Sequence, residues 1–297
     1  MNTAEAAKHK WHGILTSMGI DAGYLSRKHT PCPLCGGKDR FRYLDFQGNG
    51  TWVCNQCCAT PSDGFGLLMR YTGQDFATIA KEIDSLIDNI KDDKPVKKSD
   101  PKPRLDRLAK MSRKLTGTDT ASAYLQGRGL TVQPINVRYA PEYGYYEAGK
   151  CVGKYPVMIA RVQDAAGKRV SFHVTYLADV PQRKKILPPD GTITGCGIYL
   201  GPAAEHMIIG EGIETTLAGM QMHGLPGIAA ISAGGMERLA LPEIVKDVKI
   251  LADADENFTG QKAAYTLANK LAMAGISIEV LVPAKLGTDF ADMIAKP

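Results

Sequence analysis

The sequence predicts a multidomain chain of mixed α/β and α+β class: a small cysteine-knuckled module in front, a β-rich middle subdomain, and a parallel α/β sheet at the end. Three observations predict this. A length of 297 residues suggests about two domains at roughly 150 residues each. Five of the seven cysteines crowd between positions 32 and 58. Beyond residue 205, short apolar runs alternate with glycine turns and helical stretches, the pattern of strand, loop and helix repeating. Composition narrows the class further, because 44% apolar and 23% charged residues exclude disorder, collagen and coiled coil for the chain as a whole. No stretch approaches the roughly 18 consecutive apolar residues of a membrane helix. The opening MNTAEAAKHKWHG has no apolar core of a secretory signal. A soluble, cytoplasmic protein with no membrane partner is therefore expected.

The front module rests on Cys32-Pro33-Leu34-Cys35 and Cys54-Asn55-Gln56-Cys57, two C-x2-C knuckles separated by eighteen residues. An odd cysteine count argues against a disulfide framework. Two thiolates per knuckle reach one ion, and four satisfy tetrahedral Zn2+ with no open position, so a structural zinc site is expected. Cys58 competes with Cys57 as the fourth ligand. Between the knuckles, Arg40–Phe46 and Gly48–Val53 alternate around a Gly-Asn-Gly break and read as a β-hairpin, which makes the module a zinc ribbon. Arg40, Arg42, Tyr43 and Trp52 are candidates for holding phosphates and unstacked bases. The competing reading makes the aromatics the ribbon's own core. Gly64–Tyr71 and Asp75–Ile83 carry helical spacing, with Leu68, Tyr71, Phe76, Ile79 and Ile83 expected on the packed faces.

Net charge of +5 divides unevenly: zero over 1–90, +6 over 91–114, +3 over 115–205 and −4 over 206–297. Residues 91–104 hold three prolines, many charges and almost nothing apolar, which predicts an extended tether. The domain reading is accordingly 1–90, a basic linker at 91–112, a middle subdomain at 113–204, and a final subdomain at 205–297. From about Leu105 the pattern turns helical, and Ala121–Leu130 ends in Gln126-Gly127-Arg128-Gly129-Leu130. Tyr155–Val162 and Arg169–Leu177 form a hairpin about an Asp164–Gly167 turn. His173 is expected as a satisfied, partly buried strand residue. Arg183-Lys184-Lys185 follows in an expected loop.

In the final segment, strands are expected at 207–209, 227–232, 248–252 and 277–282, with helices at 213–222 and 260–274. Loops at the carboxyl ends of parallel strands gather along one edge and form the site. Glu211 lies just beyond the first strand, and Asp253 and Asp255 just beyond the third. Hard carboxylate oxygens in this arrangement suit Mg2+, or Mn2+, bridging to phosphates. Asp289 and Asp292 either add carboxylates there or cap the last helix.

Glu-Gly followed by Asp-x-Asp on such a sheet resembles the Toprim domain shared by bacterial-type primases, type IA and II topoisomerases and some nucleases. The resemblance runs from about Ala204 onward. It is most specific at Glu211-Gly212-Ile213-Glu214-Thr215 and Ala252-Asp253-Ala254-Asp255, then Gly260-Gln261-Lys262-Ala263-Ala264. The usual Asp-x-Asp-x-x-Gly spacing is lengthened here by Glu256–Thr259, which leaves the role of Lys262 open. The order of modules resembles DNA primases of the bacterial and phage type. Cys32–Phe41 is similar to the ribbon of primases from phages and mobile elements, and Ala123–Leu130 and Val174–Leu177 to their middle segment.

The resemblance implies short RNA primers made on a single-stranded DNA template from ribonucleoside triphosphates by metal-dependent nucleotidyl transfer. Asp253 and Asp255 would hold the catalytic metal, and Glu211 either joins them or takes the hydroxyl proton. Arg161, Lys184, Lys185 and Lys262 are the candidates for the triphosphate or the template. No Gly-x4-Gly-Lys-Ser/Thr occurs, so a replicative helicase acting in trans is the expected partner. Two alternatives stay open: a Toprim-type nuclease, and a non-catalytic adaptor that binds single strands.

Overall fold

The computed structural model describes residues 2–93, 100–147 and 150–294. Residues 94–99, the centre of the expected tether, lie outside the described residues. The chain divides into two compact units, Met1–Lys98 and Ser99–Pro297.

In the first unit, α1 (Thr3–Ala6) and α2 (Trp11–Ser17) precede a four-stranded antiparallel sheet of β1 (Thr30–Cys32), β2 (Gly36–Tyr43), β3 (Trp52–Cys54) and β4 (Cys58–Ser62). The expected hairpin is β2–β3, with Tyr43 opposite Trp52 and Phe41 opposite Cys54. Helices α3 (Gly64–Thr72) and α4 (Phe76–Leu86) follow. Each starts where an aspartate carboxylate accepts from the exposed amides of the first turn: Asp63 from Gly66, and Asp75 from Thr78. Trp11, Phe41, Trp52, Phe65, Leu68, Ile79 and Ile83 make one core. Phe41 stacks on Trp52 at 5.6 Å, and Trp11 meets Phe65 edge-on at 4.8 Å. Glycine is required at position 64, since a Cβ there would lie 2.1 Å from the Trp11 ring. Tyr71 and Phe76, expected inside, are 41% and 50% exposed.

The second unit begins with α5 (Lys102–Met111). The helical pattern expected from about Leu105 is this helix, but it starts at Lys102 and packs Leu105 and Leu108 on a sheet, so the linker bound at 112 lies too far along the chain. That sheet is antiparallel, in the order β5 (Arg113–Lys114), β6 (Val137–Glu147), β7 (Lys150–Gln163), β8 (Arg169–Tyr176) and β9 (Lys184–Ile186), with α6 (Thr120–Gln126) after β5. β7–β8 is the expected hairpin. Lys184 and Lys185, expected in a loop, form an edge strand. β6 was not foreseen, since Pro141 and Gly144 interrupt its pattern and mark an irregular register between Ala140 and Tyr143.

The last sheet runs β10 (Ile198–Tyr199), β12, β11, β13, β14, with β11 (His206–Gly210), β12 (Gly227–Ala229), β13 (Asp247–Leu251) and β14 (Ser277–Leu281) parallel and β10 an antiparallel edge. Its helices are α7 (Ile213–His223), α8 (Ala233–Arg238), α9 (Thr259–Met273) and α10 (Phe290–Ile294). Leu217 and Ala218 of α7 pack one face of the sheet, and Ala264 and Leu267 of α9 belong to a second core. The first of these cores also takes Val137, Tyr139, Met158 and Ala160, so the antiparallel sheet has an inner face on the parallel sheet and an outer face under α5. Among the described residues no helix is long and apolar enough to cross a membrane.

Candidate active site and metal centres

The two knuckles close on one point. The Sγ atoms of Cys32, Cys35, Cys54 and Cys57 all lie within 4.8 Å of one another, with Cys32–Cys57 at 3.7 Å and Cys35–Cys54 at 3.6 Å. A tetrahedron with metal–sulfur bonds of about 2.3 Å has edges of about 3.8 Å, so the thiols fit Zn2+. Cys58 turns away, its Sγ on the Thr60 carbonyl. Burial raises the Cys54 thiol, but amides of Cys57 and Gln56 aimed at its sulfur bring it down to about 6. This is a structural zinc ribbon.

Trp52 and Tyr43 do not offer ring faces to bases. Trp52 is fully buried and donates Nε1–H to the Asp63 carbonyl, while Tyr43 is 5% exposed. Both rings are spent on the core, because a ribbon has little else to fill it. Arg40 and Arg42 are only half-buried and remain the polar candidates of this strand.

In the second unit, β11 connects to β12 on one side, and the chain then crosses to β13 on the other. The topology therefore reverses between β11 and β13, and such a switch point opens a crevice at the carboxyl ends. Gly210 pairs in register with Leu251, which sets Glu211 and Asp253 just beyond neighbouring strands. Burial, then the charges of Glu211, Asp289 and Asp255, push Asp253 up to about 7. Its Oδ1 is buried without a partner. Glu211 is raised too, by burial and by Asp255, although the Ala233 amide opposes this. Asp255 is fixed differently: its Oδ2 accepts the Gly260 amide at 2.8 Å, and its carbonyl accepts Gln261 Nε2. A Cβ at position 260 would sit 2.9 Å from the Asp253 carbonyl and 3.1 Å from that Oδ2, so the delayed glycine still serves the acidic pair. Crowded carboxylates with an unpartnered buried oxygen fit a divalent cation bound through hard oxygens. Among the described residues, however, only the four thiols gather as tightly as a closed metal site.

Asp289 and Asp292 cap each other's amides at the start of α10, Asp289 N–H on Asp292 Oδ2 and Asp292 N–H on Asp289 Oδ1. Asp289 still adds its charge beside Asp253, whereas Asp292 is exposed.

The cationic candidates separate. Lys184 reaches the inner face and donates to Glu214 Oε2 at 3.0 Å. Lys185 points to the outer face, 3.8 Å above the Tyr145 ring. Arg161 also sits on the outer face, with Nη2 on the Gly167 carbonyl. Neither of these two shares a site with Lys184 and the carboxylates, because neighbouring strand residues alternate faces. Lys262 is exposed on α9.

Sequence reasoning missed Glu214, Tyr124 and Arg128. Glu214 is 4% exposed and accepts from Tyr124 Oη at 2.7 Å as well as from Lys184. Burial alone would raise its pKa, but the Lys184 charge and these bonds hold it below the usual value. Arg128 is half-buried, lies near the Tyr124 hydroxyl and the charges of Glu214 and Asp289, and leaves Nε without a partner. Glu214 lies in the Glu211–Thr215 run, and Tyr124 and Arg128 in the Ala123–Leu130 run, that carry the resemblance, but neither run gives these residues a role. His173, expected to be satisfied, is buried with Nδ1 unpartnered. Burial and Lys184 lower its pKa to about 4.

An acid-bearing parallel sheet in one unit and a zinc ribbon in the other thus stand on one chain. Comparison with known families makes this specific. Residues 206–297 match the model of the Toprim domain, and 27–65 that of the zinc-binding domain of primase-helicases. Residues 99–195 match a domain family of unknown function. The pairing fits a primase of the bacterial and phage type. Among solved structures, the chain is similar to a DNA primase domain from Pseudomonas aeruginosa, with 17% identity, 65% of this chain and 74% of that one covered, and a TM-score of 0.43. It is also similar to the primase fragment of the bacteriophage T7 primase-helicase, with 15% identity, 89% and 93% covered, and a TM-score of 0.37.

Proposed function

We propose that the protein is a DNA primase that makes short RNA primers on single-stranded DNA. The observation that carries this reading is the placement of Glu211 and Asp253 at the switch point of a Toprim sheet, with Asp253 pushed up to about 7, in a chain that also bears a primase-type zinc ribbon. In the reaction, a ribonucleotide 3′-hydroxyl attacks the α-phosphate of a ribonucleoside triphosphate. The bond to the β-phosphate breaks, pyrophosphate leaves, and the hydroxyl proton passes to a base. Glu211, Asp253 and Asp255 would hold Mg2+ or Mn2+, which supplies charge stabilisation at the reacting phosphate. Alternatively, Asp253 and Asp255 hold the metal and Glu211, whose carboxylate burial makes more basic, takes the hydroxyl proton. Asp289 supports these ligands through its charge. Lys184 and Arg128 neutralise the triphosphate from the inner face, and Glu214 positions Lys184. Lys262, exposed on the helix after the acidic loop, is assigned to the incoming strand.

Residues 1–90 form the template-recognition domain, with Arg40 and Arg42 on phosphates. A replicative helicase supplies the single strand.

De novo synthesis on random single-stranded DNA with labelled ribonucleoside triphosphates and Mg2+ tests the reading. Short oligonucleotides are expected from the parent chain. Asp253→Ala should make at least about 10²–10³-fold less, the scale for losing one preorganised electrostatic group. Metal-dependent loss of the DNA without synthesis would replace the primase with a nuclease.

A further inference from the structure

The outer face of the antiparallel sheet holds a groove of about 870 Å3 that the proposed chemistry does not use. One wall is α5, where Arg104 and Arg107 stand exposed beside the buried Leu105 and Leu108. The floor and far wall carry Tyr143, Tyr146 and Tyr176 with Lys185. Tyr146 is 51% exposed. Arg104 lies 5.9 Å from the Tyr143 ring centroid and donates Nε and Nη2 to its hydroxyl at 3.1 and 3.0 Å, which holds that ring in place. Lys185 lies 3.8 Å over Tyr145 and 5.5 Å over Tyr176. Among the described residues Arg104, Arg107 and Lys185 have no carboxylate within 4.0 Å. The groove's one acid, Glu142, is paired with Lys154 at 3.7 Å. A smaller groove of about 510 Å3 continues past Arg104 and Arg107 to Pro101, Pro103 and Pro188. The basic waist of the sequence is thus in part a helix that turns two arginines toward a row of tyrosines.

We propose that this outer groove is a second binding site for single-stranded DNA, on the opposite sheet face from the acidic site. Bases would stack on Tyr146 and Tyr143, and phosphates would pair with Arg104, Arg107 and Lys185. Uncompensated cations beside a ring that is half in solvent form the combination that single strands use, since every unpaired base has a π-face and every linkage a charge. A duplex hides its base faces and would find only the cations. The inference rests on the primase reading solely for the choice of DNA as the polyanion.

The test is fluorescence anisotropy of a labelled single strand about 20 nucleotides long, beyond the 4–16 that one such surface covers, with the full zinc-loaded chain. Two variants are compared with the parent: Arg104→Ala/Arg107→Ala and Tyr146→Ala. All three side chains are exposed, so zinc content should not change, and melting should fall at most slightly through the lost Arg104 bonds to Tyr143. Each variant should bind roughly tenfold more weakly, the stacking loss for one base being of this order. The arginine variant should also flatten the slope of log affinity against log salt by about one to two. Affinity within twofold of the parent for either variant overturns the groove, as does equal binding of duplex DNA of the same length. Primer synthesis by the parent is read separately. A chain that makes no primers yet loses binding in both variants keeps the groove and gives up the primase, and one that makes primers without losing binding does the reverse.

Discussion

The thiol cluster and the carboxylate cluster are both collections of acidic ligands, yet the chain assembles them in opposite ways. The thiols come from two knuckles joined by one hairpin, lie within 4.8 Å of one another, and sit inside a unit whose core is small. The carboxylates come from strands that meet only because the parallel sheet folds, and they crowd without closing, as the raised pKa values of Asp253 and Glu211 record. A closed soft site holds a fold together. The carboxylates instead crowd at a strand edge, and the well-packed sheet beneath them supplies the stability. Zinc loss should therefore unfold its unit, whereas loss of a carboxylate should leave the fold standing.

The sharpest way to break that contrast is Cys54→Ser. Structural zinc contributes on the order of 10 kcal/mol to such small modules, and Cys54 is fully buried beside Phe41 and Trp52. The variant should release zinc, detected with a metallochromic dye. The Met1–Lys98 unit should become protease-sensitive while Ser99–Pro297 keeps its own melting transition. A single unchanged transition would mean the ribbon stands without its metal.

A smaller effect comes from Glu214→Gln, which removes charge from the region beside the open site without touching a carboxylate there. Lys184 and Tyr124 would lose their anionic partner across the two sheets, at a cost of about 1–3 kcal/mol. The pH dependence has a definite sign. Glu214 has its pKa depressed in the folded chain, so its contribution is complete above about 4.5 and disappears as pH falls through the folded value. His173 acts in the same direction. Lowered to about 4, it stays neutral when folded, and stability falls as pH drops below its ordinary 6.5. Thermal melts from pH 7 to 3.5 should show parent and variant converging at the acid end. A constant gap would remove the ion pair from the account.

How much of this was legible in the sequence follows the same division. Three zinc ligands could be read from spacing alone, because the C-x2-C geometry is local, while Cys57 against Cys58 needed the fold, which turns Cys58 to the Thr60 carbonyl. Glu211, Asp253 and Asp255 could be placed because strand ends are marked by apolar runs and glycines. Tyr124, Arg128 and Glu214 could not, since they meet only where the inner face of one sheet docks on the other, and no periodicity records that pairing. The fates of Trp52 and Tyr43 were also hidden: an aromatic in a short strand serves as core or as ligand platform depending on what covers it. Lys184 and Lys185 were read as one basic pair. Extended backbone sends neighbours to opposite faces, so they belong to different surfaces. The linker boundary at 112 missed for a related reason: the helix that the pattern marks from about Leu105 starts at Lys102, where six of its ten residues are charged or proline and two leucines hold it to the sheet.

The finest test is Gly260→Ala, which separates stability from chemistry within the acidic loop. The added Cβ would meet the Asp253 carbonyl at 2.9 Å and the Asp255 carboxylate at 3.1 Å, so one or both must move by a few tenths of an ångström. Overpacking of this kind costs about 1 kcal/mol at the low end of its range, and the better helix propensity of alanine at the start of α9 offsets part of it. The melting temperature should change little. Primer synthesis should fall by more than the stability change explains, and the Mg2+ concentration for half-maximal synthesis should rise, because the displaced groups are the pair assigned to the metal. An unchanged Mg2+ requirement would show that the loop tolerates the shift, and would take from Gly260 its role of holding Asp253 and Asp255 in place.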